Sequence, residues 1–255
     1  MAERAYKTKL VLNNKERSYL MHCCDVARFV YNWALADRKT AYEADGTSIG
    51  YNEQKVRFNA MKKSEFAWIL DTPYVITEYA FRDLDTAYKN FFRRVRQGTE
   101  APGFPKFKSR HHSRQSFSVR GSVTVEDKRI KLPIIGWLRL AEHGYIPTGR
   151  VNGRVTVSVH GGEWWISVQM DADLPDQPAR TSATIGVDLG HGVLATLSDG
   201  SQYQNPRVLE QAAKKLAQLQ RELHRRVKGS ANREKTKQKI AKLHAKIARI
   251  RAHGL

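Results

Sequence analysis

A single aspartate in a short glycine-flanked segment is the residue of this sequence best placed to do chemistry. Asp188 lies in residues 185–190, a run of small and apolar residues that predicts a strand. The glycines beside it let another backbone or a phosphate come close, and a carboxylate in this position can hold a divalent cation. Cleavage with two metal ions needs several carboxylates, however. Taken alone, the pattern favours an aspartate in a hairpin turn.

The segment that follows is strongly basic. From Pro206 onward, fifteen lysines and arginines stand against three glutamates, which gives a net charge of +12. A solvated helix face would mix signs to gain pairs between residues four apart, so this bias favours contact with phosphates over a merely solvated surface. The residues singled out here as nucleic-acid contacts are Arg221, Arg225, Arg226, Lys228, Arg233 and Lys237.

A second basic stretch, between residues 92 and 114, is interleaved with phenylalanines. Basic side chains can follow phosphates while exposed aromatic rings stack on bases. The alternative, which the residues alone support equally, is that the phenylalanines are core and only the charges are exposed. The candidate contacts are Lys106, Lys108, Arg110 and Arg114, interleaved with Phe92, Phe104 and Phe107.

The charge of the whole chain agrees with these two stretches. Its 255 residues carry 44 Lys+Arg against 25 Asp+Glu, a net charge of +19. Such a surplus favours a polyanion partner because phosphate contacts release condensed counterions, although a merely basic soluble protein is the alternative. No apolar run approaches the ~20 residues that cross a bilayer, and the N-terminus lacks the apolar core of a signal peptide. We therefore expect a cytoplasmic protein with no membrane partner.

The residues before these stretches predict a short strand and a helical region. Residues 6–12 are of β type, and Asn13 with Glu16 three places on is typical of a capped helix, which should run to about Tyr42. The same helix carries two adjacent cysteines, Cys23 and Cys24, which can build neither a disulfide framework nor a zinc site.

Two further helices are expected in the first hundred residues. One begins near Tyr51 and carries the apolar residues Val56 and Met61. The next begins with Thr72 as its cap and Pro73 at its first helical position, and an apolar stripe continues to about Val95.

The middle of the chain predicts β structure, and its end predicts more helix. Five strands are expected, at residues 116–120, 123–126, 129–132, 155–159 and 164–170. They would form an antiparallel sheet or a small barrel, which the first strand could join. After a polar, proline-bearing linker at 175–182, two strands are expected within 184–197, and then two antiparallel basic helices.

Six segments, taken in order, resemble the TnpB proteins, which are transposon-encoded RNA-guided DNA nucleases related to the type V CRISPR effectors. Their order along nearly the whole chain is far more specific than any one match. The segments are residues 27–32, 84–92, 104–108, 131–136, 186–190 and 228–230.

The resemblance implies an α+β fold: a helical recognition lobe inserted in an antiparallel, wedge-like β-barrel, followed by a partial RNase H-like (RuvC) domain with a basic helical hairpin. The implied boundaries are residues 1–12 for the first barrel strand, 13–98 for the lobe, 99–174 for the barrel, 175–182 for the linker and 183–255 for the RuvC part.

The resemblance also implies partners and roles. Members of the family bind a guide RNA, recognise a short motif in double-stranded target DNA and leave sequence reading to base pairing. The resemblance implies that Asp188 is a catalytic residue and the first metal-binding aspartate, with Mg²⁺ as the cofactor of the complete nuclease. The basic hairpin would line the RNA–DNA heteroduplex, and Tyr51 and Tyr74 would lie near the duplex end.

The sequence departs from the family after residues 247–251. Family members continue there into a second motif with a catalytic glutamate, a four-cysteine zinc ribbon and a final catalytic aspartate. With one of three metal-binding carboxylates, we expect an incomplete Mg²⁺ site, no zinc site and no cleavage by this chain alone.

Three alternatives stay open beside a truncated transposase of this family. The chain could be a nuclease-dead, RNA-guided DNA-binding repressor. It could be half of a split nuclease, joined by a separately encoded C-terminal half, and exposed strand edges could also lead to self-association. The simplest alternative is a basic RNA-binding module without a DNA target.

Overall fold

The computed structural model describes residues 2–110, 112–172, 184–205 and 207–253. The chain divides into two compact units. The first consists of Met1–Val159 and Trp164–Ala172, and the second of His160–Glu163 and Asp173–Leu255. The predicted linker at residues 175–182 lies outside the described residues. Among the helices described, none has the length and apolarity that a membrane span requires.

The helices of the first unit are close to those expected from the sequence. They are α1, Asn14–Asp45; α2, Tyr51–Lys62; and α3, Tyr74–Arg96, with one 3₁₀ turn, Ala67–Ile69, between α2 and α3. The predicted capping box is confirmed: the Glu16 N–H donates to Asn13 Oδ1 at 2.8 Å, and the Asn13 N–H donates to Glu16 Oε2 at 2.8 Å. The helix α1 ends at Gly46, whose φ of 73° is left-handed and therefore suits glycine.

Two details of the helical prediction are wrong. Thr72 does not cap α3, because its hydroxyl donates to the Ile69 carbonyl at 2.8 Å and so completes the preceding 3₁₀ turn, while Pro73 takes the cap position. Val56 does not face the core either, since it is 71% exposed. The buried positions of α2 are Gln54 and Phe58.

Eight strands of the chain form one antiparallel sheet. They are β1, Ala2–Val11; β2, Ser116–Val119; β3, Val123–Glu126; β4, Arg129–Leu132; β5, Gly136–Leu140; β6, Gly149–Val151; β7, Val155–His160; and β8, Glu163–Ala172. The sequence patterns missed β5 and β6, of which β6 is only three residues long.

The strand order is β2-β7-β8-β1-β5-β4-β3-β6, so the opening strand β1 does join the sheet, as expected. Its first part pairs with β8, and its last two residues, Leu10 and Val11, pair with β5. The order is open, with β2 and β6 at its ends. In the described part of the chain the strands therefore form a sheet, and their hydrogen bonds do not close the barrel that was expected.

Aromatic side chains fill the core among the three helices. The Phe58 ring is fully buried, stacks on Phe66 with centroids 5.5 Å apart, and meets Phe81 and Trp33 edge-on at 5.5 and 5.0 Å. Because aromatic pairs prefer such offset and edge-to-face geometry, this cluster fixes the positions of α1, α2 and α3 relative to each other.

The second unit contains a small sheet and two helices. The strands are β9, Val187–Leu189; β10, Val193–Leu197; and β11, Gln202–Gln204, in the order β11-β10-β9. The helices are α4, Val208–Arg225, and α5, Ala231–His253. The two strands expected within 184–197 and the two basic helices are thus confirmed, and β11 is an addition.

Candidate nucleic-acid interface

An apolar seam and a carboxylate hold α4 and α5 together. Leu219 of α4 and Ile247 of α5 are each 5% exposed. Near the connecting loop, Glu222 accepts hydrogen bonds from Arg226 and, at 3.1 Å, from the buried hydroxyl of Thr236. The hydrogen bond from Arg226 and then that from Thr236 lower the pKa of the Glu222 carboxyl, because both favour the charged form.

The loop between the helices is closed by Arg233. Its Nη1 donates to the carbonyl of Leu223 in the last turn of α4 at 2.7 Å and to that of Arg226, the residue after the helix, at 2.9 Å. The Leu223 carbonyl also accepts from the Arg226 N–H at 3.3 Å, so Arg233 adds to the closure of the helix end. Ser230 supports the other helix, since its Oγ accepts from the Arg233 N–H at 3.2 Å. Gly229 has a φ of 84°, so the turn requires the left-handed conformation there.

Replacing Arg233 with glutamine is expected to lower the free energy of unfolding of the second unit by about 1.5 kcal/mol, because two charge-assisted hydrogen bonds to carbonyls at the helix end are lost. Urea unfolding followed by circular dichroism measures this change. Lys235→Gln is the matched control, since Lys235 is exposed on the same helix. Equal midpoints for the two variants would contradict the capping role.

The predicted contacts of this hairpin divide into two groups. Arg226 pairs with Glu222, Lys237 pairs with Glu234 at 2.6 Å, and Arg233 caps α4, so these three residues have structural partners. The other three, Arg221, Arg225 and Lys228, are exposed and have no carboxylate partner within the described ranges.

Helical spacing places two of these exposed cations on one stripe of α4. Lys214, Gln218, Arg221 and Arg225 recur every three or four residues, while Leu216, Leu219 and Leu223 form the opposite, more buried stripe. Gln218, Arg221, His224 and Arg225 also line one open depression of about 540 Å³. The two guanidinium groups at this depression have no carboxylate partner among the described residues, so they can contact a phosphate backbone.

Asp188 lies on β9 opposite Thr196 of β10, and it is exposed. A Cβ added at Gly190 would lie 2.9 Å from the Val193 carbonyl oxygen, so only glycine fits that close approach. Across the part of the chain that the structure describes, no group of three or more His, Cys, Asp or Glu side chains could hold a metal ion. The donors near Asp188 therefore do not fit a two-metal centre.

The predicted contacts of the first unit are spread over several elements. Tyr51 begins α2, and its ring lies under Arg82 and Lys55, at 5.7 and 5.8 Å. Tyr74 begins α3 and is 70% exposed. The Tyr74 ring is therefore open to a partner, whereas the Tyr51 ring is partly buried and packs against the core.

The loop contacts differ in accessibility. Lys106 and Arg110 are exposed, and Arg114 donates to Ser158 Oγ at 2.9 Å. Lys108 is half-buried, with its Nζ 3.8 Å from the centre of the Tyr31 ring, and burial lowers the pKa of its ammonium group. Of the four predicted loop contacts, Lys106, Arg110 and Arg114 are exposed and Lys108 is not.

Asn32 explains why Lys108 is held in this way. Its side chain donates to the Lys108 carbonyl at 2.8 Å and accepts from the Lys108 N–H at 2.8 Å. One amide therefore satisfies both backbone groups of a residue 76 positions away in the sequence. A partner at such a separation leaves no local pattern, and sequence reasoning missed it.

The phenylalanines of the second basic stretch are not core residues. Phe92 and Phe107 are each 54% exposed and Phe104 is 45% exposed, which decides between the two interpretations left open by the sequence. Sequence reasoning missed Arg38 of α1, whose guanidinium lies 4.9 Å from the centre of the Tyr88 ring on α3. The two residues are fifty positions apart, so no local pattern could have indicated the contact.

Two family models match the chain. The OrfB_IS605 model, described as a probable transposase, covers residues 166–255, and a helix-turn-helix domain model of the same family covers residues 1–47. In this structure the latter residues form β1, α1 and the start of the following loop.

Two curated relatives match over nearly the whole chain. One, from Escherichia coli K12, carries the name Putative RNA-guided DNA endonuclease InsQ and is 35% identical over 97% of this chain and 60% of its own length. The other, from Streptomyces pristinaespiralis, carries the name Putative RNA-guided DNA endonuclease and is 32% identical over 96% of this chain and 60% of its own. The chain thus spans about three fifths of each relative.

Among solved structures, a cryo-EM structure of a Cas12f1-sgRNA-target DNA complex matches 98% of this chain and 66% of that one, at 13% identity and a TM-score of 0.37. That agreement is too low to carry an argument. The two family models and the two curated relatives together support the assignment of this chain to the TnpB (OrfB) family of transposases.

Proposed function

We propose that this chain is the nucleic-acid-binding part of an RNA-guided DNA endonuclease, with a guide RNA and double-stranded target DNA as its partners. The names of its two curated relatives support this function. The structural observation that carries the proposal is the group of exposed cations Arg221, Arg225 and Lys228, which have no carboxylate partner among the described residues. Cations left unpaired in a folded protein are available to phosphates.

The family membership also supports assignments for the parts of the chain. In this proposal, residues 13–98 are the helical recognition lobe, residues 1–12 and 99–174 are the wedge-like β region, and residues 183–255 belong to an RNase H-like domain. The α4–α5 hairpin lies along the RNA–DNA heteroduplex, whose backbone geometry rather than sequence it would contact.

Asp188 is the proposed catalytic carboxylate of this chain and a ligand for Mg²⁺. Two-metal cleavage requires further carboxylates to balance the charge of both ions. Because the described donors do not fit such a centre, we assign binding, not cleavage, to these 255 residues. The same observation favours a second candidate, a nuclease-dead protein that occupies DNA under RNA guidance.

A binding assay and a cleavage assay on the same sample test the proposal. The purified chain is mixed with a labelled 20-base-pair RNA–DNA hybrid, or with DNA of the same sequence, in Mg²⁺. We expect hybrid binding that is tighter than duplex DNA binding, no cutting, and no change in affinity for Asp188→Asn. Metal-dependent cutting by the chain alone would refute the assignment of binding only, and equal affinity for both duplexes would refute the preference for a hybrid.

A further inference from the structure

A pocket walled by aromatic rings opens in the first unit, between the end of α1 and the second half of α3. It encloses about 390 Å³, which is within the range of roughly 300–1,000 Å³ typical of small-molecule sites. We call it the aromatic pocket. Its walls include Arg38, Tyr42, Glu43, Tyr88, Phe92 and Phe104.

Most ring pairs of the aromatic pocket pack edge-on, while Phe92 lies nearly parallel to Tyr88 at 6.3 Å and Arg38 covers one face of Tyr88. The Phe104 ring meets Tyr88 at 5.5 Å with an interplanar angle of 89°, and meets Phe91 at 5.2 Å and 79°. Tyr42 nevertheless stays 67% exposed, and Phe92 and Phe104 stay about half exposed. Since exposed aromatic surface around a cavity is costly in water, a flat partner would be stabilised there.

The charges around the aromatic pocket select an anionic partner. Lys39 lies in its wall, as does Arg38, which is paired with Asp85 at 3.5 Å. Directly after Phe92, the last turn of α3 carries Arg93, Arg94 and Arg96. Arg94 Nη2 also donates to the Gly103 carbonyl at 3.2 Å, which fixes the loop that carries Phe104. A ligand that is flat at one end and phosphate-bearing at the other fits both features, and a nucleotide has that composition.

The acceptors in the wall favour ribose over deoxyribose. Glu43 and Ser48 line the aromatic pocket and offer a carboxylate and a hydroxyl. The ribose 2′-OH can donate to either group, and this hydroxyl is what distinguishes RNA from DNA at a protein site. Bases within a duplex are already stacked on their neighbours, so only an unpaired base can enter.

We infer that the aromatic pocket binds one unpaired base of single-stranded RNA against the exposed part of the Phe92 ring, with the adjoining phosphates on the arginines at the end of α3. This site deepens the proposed function and rests on it, because it assigns to the first unit a contact with the RNA partner. Base–aromatic stacking contributes about 1–3 kcal/mol per base, which corresponds to roughly 5- to 150-fold in affinity.

The inference is tested by removing the base from the RNA, the Phe92 ring from the protein, or both, and comparing the affinities. The affinity of the full chain for pentaadenylate RNA is compared with that for an abasic ribose pentamer of equal charge, by fluorescence anisotropy. We expect wild type to prefer pentaadenylate by roughly tenfold, Phe92→Leu to lose most of that preference, and Tyr203→Leu to keep it. Tyr203 is the matched control because it is an equally exposed aromatic residue that does not line the pocket. Circular dichroism checks that both variants fold.

The outcomes separate this inference from the proposed function. If the wild-type chain binds the RNA–DNA hybrid but does not distinguish pentaadenylate from the abasic pentamer, the pocket assignment is wrong and the proposed function stands. If Phe92→Leu keeps the full preference, the base stacks elsewhere. Equal affinity for pentadeoxyadenylate would overturn the choice of RNA, whereas failure to bind the hybrid or either ribose pentamer would overturn both proposals.

Discussion

Replacing Arg221, Arg225 and Lys228 together with glutamine is expected to weaken binding to an RNA–DNA hybrid by roughly 100-fold at moderate salt. These three cations are exposed and have no carboxylate partner within the described segments, so their charge is available to phosphates. Each lost phosphate contact should also reduce the slope of log affinity against log salt by about 0.9. Anisotropy titrations at several salt concentrations measure both quantities.

The control for this variant removes the same charge from elsewhere. Lys15, Lys63 and Lys128 are exposed lysines of the first unit, and their replacement by glutamine lowers the net charge equally. We expect the affinity of that control to fall only a few-fold, because a lower net charge weakens the long-range electrostatic attraction to nucleic acid. Equal losses in the two triple variants would mean that net charge alone, without a defined surface on the hairpin, explains binding.

Phe58→Ala is expected to lower the free energy of unfolding of the first unit by about 3–5 kcal/mol. The Phe58 side chain is fully buried and contacts Phe66, Phe81 and Trp33, so its removal leaves a cavity between the helices. Because alanine is a good helix former, α2 itself is not disfavoured by the change. Chemical denaturation monitored by tryptophan fluorescence measures the loss.

Val56→Ala is the matched control on the same helix. Val56 is 71% exposed, so its truncation should change the free energy of unfolding by no more than about 0.5 kcal/mol. If both variants were equally destabilised, the orientation of α2 described above would be wrong.

The sequence predicts the helices and most strands because their signals are local. The capping box of Asn13 and Glu16 lies within one turn, and both of its hydrogen bonds are present. Thr72, predicted as a cap because Pro73 follows it, instead donates its hydroxyl to the Ile69 carbonyl, which the 3₁₀ turn places within reach. The expectation that the apolar Val56 would face the core was wrong, because Gln54 and Phe58 are the buried residues of α2. The polar Gln54 can be buried because its amide donates to the Ala34 carbonyl at 2.6 Å.

The candidate interface was predictable in kind but not in detail. Charge counting identified the basic hairpin, yet it could not separate Arg221, which is exposed, from Arg233, which is used to cap α4. The pairing of Arg226 with Glu222 could have been predicted from the sequence, since the two residues are four positions apart. The aromatic pocket could not have been predicted, because Arg38 and Phe104 come together only in the folded unit.

The salt dependence of RNA–DNA hybrid binding by the unmodified chain tests the central claim most directly. A surface that neutralises several phosphates predicts measurable affinity near physiological ionic strength and a log–log slope of about −3 or steeper. Binding that is undetectable at that ionic strength, or a slope near zero, would contradict the account.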